Sequence, residues 1–535
     1  MRRVELSLSK PAADTPAAHF PPGESIPGLL AAAAAARPEH VFLRVGGAAI
    51  TYAGLARRVA GAAASLHDRG IRSGQHVAVM LTHHVDHVLS FFALMHLGAT
   101  MVPVNPGLKG LGLAHVVGHS GAQWIVAEQE FVPVLREALG DAFDTSRLLV
   151  RDANAPAARA DHAYLYDDSP EAPILAADER GNAVRQILYT SGTTGPAKGV
   201  VMTDLMLRAA ALGSQWIGDI GPGSVLHFWD PIHHVFGSEV LVLALRVPVT
   251  LVLVPRFSAS RFWDEAREHG VTHVHFVGGV LQLLLKQPER DIDRDHGVRI
   301  AWGGGCPLEV WRAFEQRFGV TLREGYGMTE TSSFCTINVD GRLGSIGKAL
   351  AYFDVELVDE QGAAPPPGVP GEIRVREREP GVMLSRYHGS PEAIAEALRG
   401  PWLYTGDLAT QDADGFLYFK GRKKDSIRRR GENISAWEVE RAFGEHPDVE
   451  ECALIAVRNE FGDEELKLFV KSRSPRLREQ QLVDWATSRL AGFQIPRFVQ
   501  FVDTFPKTPT ERIRKQLLST QLDDCWDREK SCKLN

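Results

Sequence analysis

The chain has 535 residues, of which 44% are hydrophobic and 23% charged, and such ordinary globular usage excludes a disordered, collagen-like or coiled-coil protein. The length suggests three or four domain-sized units at roughly 100–200 residues each. The 59 basic and 66 acidic residues leave a net charge of −7, so no global electrostatic footprint for nucleic acid or an anionic membrane is present.

Residues 1–24 are rich in Pro, Ala and Ser and read as a loose arm. Arg2 and Arg3 precede no apolar core segment, and the alanine run Ala31–Ala36 closes at Arg37-Pro38, so no signal peptide is expected. A helix is predicted over 29–36, a short apolar strand over 76–80, a helix over 86–97 ending at Gly98, and a strand over 99–104. This alternation implies parallel sheets covered by helices. The run Ile187–Thr190 is strand-like. The apolar stretch Val235–Pro255 is interrupted by Glu239, Arg246 and Pro248, so it reads as a buried helix followed by a buried strand, with no membrane span. A dense turn cluster, Pro365–Gly371, leads into a strand over 372–375. Residues 420–431 are basic (Lys420, Arg422, Lys423, Lys424, Arg428, Arg429 and Arg430). Beyond them lies a separate pattern of helix (436–443), strand (451–457), strand (466–471) and helix (479–490). A domain boundary is therefore expected near Arg422–Asp425.

Several short segments carry chemistry. After the strand-like run comes Ser191-Gly-Thr-Thr-Gly-Pro-Ala-Lys-Gly199. Small residues let backbone approach phosphate, hydroxyls and N–H groups donate to its oxygens, and Lys198 adds positive charge. It is not a Walker loop, because Lys198 is followed by Gly199 and not by Ser or Thr. A flexible surface turn would explain the glycines but not the hydroxyls and lysine after a buried strand. The five cysteines, Cys306, Cys335, Cys452, Cys525 and Cys532, form no CxxC pair. Neither a disulfide framework nor a zinc set is suggested, and a reducing cytoplasm is the expected compartment. His83, His84 and His87 have helical spacing but no acidic ligand pattern beside them, so a metal role is not expected. His273 and His275 alternate in a strand as packing or surface residues.

The segment Thr190-Ser-Gly-Thr-Thr-Gly-Pro-Ala-Lys-Gly199 strongly resembles the signature of the adenylate-forming superfamily, which includes acyl-CoA synthetases, aryl-CoA ligases, luciferases and adenylation domains. Further matches follow in order: Pro231-Ile-His-His-Val-Phe-Gly237, Gly304-Gly-Cys-Pro-Leu308, Glu324-Gly-Tyr-Gly-Met-Thr-Glu330, Tyr404-Thr-Gly-Asp407, Gly421-Arg-Lys-Lys-Asp425 and Gly431-Glu-Asn-Ile434. The resemblance runs from about Ile26 to Leu518. It leans toward the crotonobetaine/carnitine-CoA ligase-like branch through Gly431-Glu-Asn-Ile434 and Trp437-Glu-Val-Glu440.

The resemblance implies an α/β fold: a large N-terminal AMP-binding domain (25–422) of stacked α/β subdomains plus a β-barrel-like subdomain, and a small mobile α+β C-terminal domain (423–535). It implies an ATP-dependent acid–thiol ligase that uses Mg²⁺ and coenzyme A and acts on a small carboxylic acid. By resemblance, Thr190, Ser191, Gly192, Thr193, Thr194, Gly195 and Lys198 hold the β- and γ-phosphates. Thr329 contacts the α-phosphate, and Glu330 helps hold Mg²⁺. Gly304 lies on the substrate side, Gly305, Glu324 and Gly325 bind the nucleotide, Tyr326 stacks near the adenine, Asp407 accepts from the ribose hydroxyls, and Arg422 reaches the ribose or phosphate region. His234 stands at the entrance of the acyl pocket. Lys424 is the hinge, Gly431 lines the pantetheine tunnel, and Arg430, less so Arg428 and Arg429, meets the CoA nucleotide. A homodimer is compatible with the family, and a carrier protein is the alternative thiol acceptor.

The chain departs from the family at the catalytic lysine. A Thr-Gly-Lys-Ile segment is replaced by Thr510-Glu-Arg-Ile513, so Arg512 occupies the lysine position. Arginine keeps the charge but is larger and planar. Adenylation at a reduced rate, a branch built around arginine, and a degenerate nucleotide- or acyl-binding protein are the three readings. Lys507 and Lys515 are out of register. Asp204 and Arg386 also depart from the family pattern without touching the chemistry. Asp230, just before Pro231, faces the substrate pocket by resemblance to amino-acid-activating domains. It either pairs with an internal donor or awaits a cationic nitrogen on the acid, as in a betaine.

Overall fold

The computed structural model describes residues 19–151, 166, 176–190, 196–277, 280–306, 308–422, 427–429, 432–434, 436–459, 462–506, 513 and 515–531. The predicted elements are present with small shifts at their ends. The first helix is Ile26–Ala36, capped by the Ser25 hydroxyl, and the helix Val85–Leu97 stops at Gly98, whose φ of 71° is the left-handed cap that glycine accommodates. The apolar stretch after His234 divides into the helix Val235–Arg246 and the strand Thr250–Leu253.

Two parallel sheets form the body of the large domain. One has six strands in the order Leu148–Arg151, Trp124–Glu128, His76–Met80, Thr100–Pro103, Val184–Thr190 and Lys198–Thr203. Its first five strands are parallel, and the last turns back antiparallel to form the phosphate-loop hairpin. The other has nine strands. Six are parallel at its centre: Thr321–Met328, Ile300–Gly304, His273–Val277, Val225–Phe228, Thr250–Leu253 and Val41–Val45. Its antiparallel edges are Ser333–Asn338 with Lys348–Ala349 on one side and Ala48–Thr51 on the other. These strands are buried on both faces, which is why they read as apolar runs without alternation. A third, antiparallel sheet of five strands, Phe353–Val358, Gly371–Glu377, Trp402–Gln411, Leu398–Arg399 and Leu417–Arg422, corresponds to the barrel-like subdomain.

The C-terminal unit has its own core around Val439, Phe443, Leu466, Leu468 and Leu482. Its four-stranded sheet runs Val449–Arg458, Glu464–Ser472, Phe498–Phe501, Trp526–Asp527, flanked by the helices Ala436–Gly444 and Glu479–Thr487.

The described residues add detail to two expectations. The arm expected over 1–24 is not loose where it is described: Phe20 packs in the main core, and Glu24 pairs with Arg208 at 2.9 Å. An aromatic anchor and a buried cation hold this stretch, which its Pro-rich composition disguised. Asp204 is also more than a family variation. It opens the helix Asp204–Gly218 and accepts from Arg185, Arg208 and the Ile26 backbone N–H, tying the N-terminal helix to the phosphate-loop hairpin.

Candidate active site

The motif residues gather at the carboxyl ends of the parallel strands, where open α/β sheets bind ligands. Thr190 and Lys198 are register partners at the root of the phosphate-loop hairpin. Ser191, Gly192, Thr193, Thr194 and Gly195 lie outside the described residues, as do Lys424, Arg430, Gly431 and Arg512.

Glu330 sits in the short 3-10 turn Thr329–Thr331, where both Thr329 and Glu330 are buried. The next residues, Ser332 and Ser333, have φ of 51° and 70°. Side chains rarely adopt this region, and such strain concentrates at functional turns. The Tyr387 hydroxyl donates to Glu330 Oε1 at 2.9 Å, and the Lys198 ammonium lies 5.3 Å from the centre of the same ring. Burial and the adjacent Glu330 charge push the Tyr387 phenol far up, so it remains a neutral donor. Tyr387 thus links the phosphate-loop lysine to the carboxylate. The sequence reading passed over it and remarked only on its neighbour Arg386.

On the nucleotide side, the Tyr326 hydroxyl donates to Asp407 Oδ2 at 2.7 Å. Burial first, and then the Asp407 charge, raises the Tyr326 phenol well above its ordinary value. The ring is near Phe419, 6.1 Å between centres. Asp407 and Arg422 are backbone partners on adjacent strands. Glu324 has a positioning role: its Oε1 accepts from the N–H groups of Gly305 and Cys306, each at 2.9 Å, and so shapes the turn after Gly304, where Gly305 has φ of 83°. The motif glycines are demanded by close backbone approach. A Cβ on Gly327 would stand 1.7 Å from the Ser333 carbonyl oxygen, one on Gly325 2.6 Å from Phe334, and one on Gly304 3.0 Å from the Gly325 carbonyl oxygen.

On the acyl side, His234 caps the helix Val235–Arg246. Its Nδ1 faces the Phe236 N–H at 3.5 Å, a long contact at the helix start. The spacing from Pro231 to Gly237 has a steric cause, because a Cβ on Gly237 would be 2.3 Å from the Pro231 carbonyl oxygen. Asp230 is 2% exposed and pairs through Oδ1 with Nδ1 of His275, 1% exposed, at 2.6 Å. The internal partner weighed for Asp230 therefore exists, and His275 is neither a simple packing residue nor a surface one. Oδ2 of Asp230 and Nε2 of His275 have no partner among the described residues, nor do Nε2 of His83 and Nε2 of His87. Phe236 packs on the His275 ring at 4.4 Å and on Phe334 at 5.7 Å. Burial pushes His83 down to about 4, and burial with neighbouring imidazoles pushes His87 and His233 to about 3. These imidazoles are neutral at neutral pH. Among the described residues no group of three or more His, Cys, Asp or Glu side chains could hold a metal ion.

Glu330 is one buried carboxylate, joined through Tyr387 to Lys198. That donor set fits Mg²⁺, which is characteristically held by one or two carboxylates with substrate phosphate and water supplying the rest. One basic residue leaves the expected set of CoA contacts: Arg429 is 1% exposed, its Nε is 2.5 Å from Glu465 Oε2, and its Nη1 donates to the carbonyls of Phe493 and Ile495. Its guanidinium is spent inside the small domain.

The profile of the AMP-binding enzyme family matches residues 30–387, and that of the AMP-binding enzyme C-terminal domain matches residues 438–512. A crotonobetaine/carnitine–CoA ligase of Salmonella paratyphi B is 30% identical over 482 residues, covering 88% of this chain and 92% of the relative. Among solved structures, a double mutant of the o-succinylbenzoate CoA synthetase of Bacillus subtilis bound with its product analogue OSB-NCoA superposes with a TM-score of 0.80 at 24% identity. The same synthetase in complex with ATP and magnesium ion superposes at 0.65 and 26% identity. Each comparison covers 92% of this chain and 98% of the solved one.

Proposed function

The chain belongs to the AMP-binding enzyme family and is an acyl-CoA synthetase of the adenylate-forming kind, and on that premise we propose that it activates a short carboxylic acid bearing a cationic nitrogen and transfers the acyl group to coenzyme A. A carboxylate oxygen attacks the α-phosphorus of ATP, and the bond to pyrophosphate breaks with the electron pair leaving on pyrophosphate. The thiol of CoA then loses its proton to solvent and its sulfur attacks the acyl carbon. The acyl carbon–oxygen bond breaks, and AMP leaves.

Both steps concentrate negative charge, so this chain's contribution is positioning and electrostatic stabilisation. Mg²⁺, when bound, neutralises phosphate charge. Glu330 is the residue to hold it, with Tyr387 fixing the carboxylate and Lys198 beside the ring. Asp407, oriented by Tyr326, accepts from the ribose hydroxyls. Thr329 contacts the α-phosphate, and Arg512 takes the role that lysine has in the family.

The observation that carries the substrate class is the half-satisfied Asp230, a buried carboxylate with one oxygen on His275 and the other without a partner among the described residues. A buried carboxylate stabilises a cation held close to it in surroundings of low dielectric. The relatives named for crotonobetaine and carnitine support the same class. The ligase proposal is tested by acid-dependent ATP–pyrophosphate exchange with Mg²⁺ over a panel of acids including betaines. Product analysis with CoA and with a purified carrier protein follows. A CoA thioester is the expected product. Loading of the carrier alone would move the acceptor, and silence with ATP still bound would favour a nucleotide-binding protein that has lost its chemistry with the lysine.

A further inference from the structure

The helix Gly110–His119 brings two imidazoles against the phosphate-loop hairpin. His115 and His119 stand one turn apart and so share a face of the helix. Their rings stack at 4.9 Å between centres, with 28° between planes. Each reaches a different root of the loop. His115 Nε2 lies 2.9 Å from the carbonyl oxygen of Ala197, the residue before Lys198. A carbonyl can only accept, so this nitrogen carries a proton and donates. His119 Nδ1 lies 2.8 Å from the hydroxyl of Tyr189, the residue before Thr190. Thr190 and Lys198 are register partners across the hairpin. The stacked pair therefore bonds to the hairpin on both sides, beside the last residue of one strand and beside the first residue of the next.

The packing here is close. A Cβ on Gly199 would be 2.7 Å from Ile187 Cγ2, 3.2 Å from the Tyr189 ring and 3.3 Å from His388 Cβ, and one on Gly389 would be 3.1 Å from His119 Nε2. His388 extends the cluster. Its backbone N–H donates to the Gly199 carbonyl at 2.7 Å, and its ring meets His119 at 5.6 Å and His76 at 5.3 Å. Its neighbour Tyr387 holds Glu330. Burial, and then the imidazoles of His115 and His388, keep His119 below its ordinary value; burial, and then His76, do the same to His388. Those two rings are neutral at neutral pH, so they offer the hairpin hydrogen bonding and packing, not charge.

We propose that His115 is a positioning residue for ATP: with His119 it clips the two roots of the phosphate loop, so that Thr190 and Lys198 stand at a fixed spacing before the nucleotide arrives. Its contact is with backbone and not with a reacting atom. Holding the ends of a segment at their bound spacing removes part of the entropy cost of ordering it around a ligand. The gain goes only to a ligand that carries β- and γ-phosphates. The clip thus rests on the reading that this loop holds those phosphates, and the test separates the two.

Binding of MgATP and of AMP to the full chain is measured by titration calorimetry, with thermal unfolding of each variant alongside. His115→Phe keeps a ring and removes the donor. It is expected to weaken MgATP at least about fivefold, about 1 kcal/mol, while AMP stays within about twofold of wild type. His115→Gln presents an amide N–H at similar reach and is expected to return MgATP to within about twofold. Tyr189→Phe removes only the hydroxyl at the other root and is expected to weaken MgATP alone, by a smaller factor; it decides the matter if phenylalanine at 115 does not fold. Equal losses for both nucleotides, no loss in either phenylalanine variant, or a glutamine variant as weak as phenylalanine overturns the proposal. Lys198→Ala tests the reading beneath it. If that variant fails to separate MgATP from AMP, the loop does not hold the outer phosphates and the clip falls with it. If it separates them while His115→Phe and Tyr189→Phe do not, the loop reading stands and the clip alone falls.

Discussion

The two halves of the active site are built differently. On the nucleotide half two motif carboxylates are held firmly, Glu330 by Tyr387 and Glu324 by two backbone N–H groups, while Asp407 takes the Tyr326 hydroxyl on one oxygen only. On the acyl half, buried polar atoms of His83, His87, Asp230 and His275 have no partner among the described residues. The first half is organised before any ligand arrives, which suits a reactant common to every turnover. The second keeps unspent hydrogen-bonding and charge, and an unspent buried group can discriminate strongly between ligands. The lesson is that generality and selectivity are divided between the halves.

The sharpest way to break the comparison is steric. Gly327→Ala puts a Cβ within 1.7 Å of the Ser333 carbonyl oxygen, so the turn holding Glu330 must shift. Exchange with every acid is expected to vanish, and a folded variant with normal exchange would mean the turn is dispensable. Glu330→Gln comes next, with an expected loss of at least about a hundredfold for all acids alike, since it removes the carboxylate charge that would hold Mg²⁺ against the phosphates. Tyr387→Phe leaves Glu330 in place without that donor. A buried hydrogen bond to a charged group contributes about 1.5–3 kcal/mol, so a loss between about tenfold and about a hundredfold is expected, again independent of the acid. A loss confined to some acids would break the division of roles.

The smallest effect is on stability. Burial depresses His83, His87 and His233 to about 4, about 3 and about 3, while in the unfolded chain each returns to about 6.5. Below about pH 6.5 the unfolded state therefore binds protons that the folded state refuses, and stability falls as pH drops toward about 4. Scanning calorimetry between about pH 7 and about pH 5.5, above most carboxylate titration, is expected to show Tm falling with pH. His87→Gln should flatten that slope, and an unchanged slope would place the titrating groups elsewhere.

Much of this was legible in the sequence, and the omissions have one cause. Glycine and carboxylate motifs are local, so Gly237, Gly327, Glu330 and Asp407 could be read where they stand. The strands were legible because parallel sheets bury both faces. What stayed hidden are pairs made by the fold across long separations: Tyr387 reaches Glu330 over 57 residues, and His275 reaches Asp230 over 45. Neither tyrosine nor histidine announces its partner in a strand pattern. Arg429 misled for the complementary reason. It lies in a basic run, as a phosphate-binding residue would, yet Glu465 and two carbonyls claim it inside the small domain.

The measurement that tests the account most directly compares two acids of one shape, γ-butyrobetaine and its neutral carbon isostere 5,5-dimethylhexanoate, by acid-dependent pyrophosphate exchange in wild type and in Asp230→Asn. The account predicts that wild type prefers the cation by at least about tenfold in kcat/KM, a difference of about 1.4 kcal/mol. Asp230→Asn should erase that preference while leaving exchange with the neutral acid within about twofold, a margin of less than about 0.5 kcal/mol. Exchange that ignores the charge in wild type, or falls equally for both acids in the variant, would contradict it.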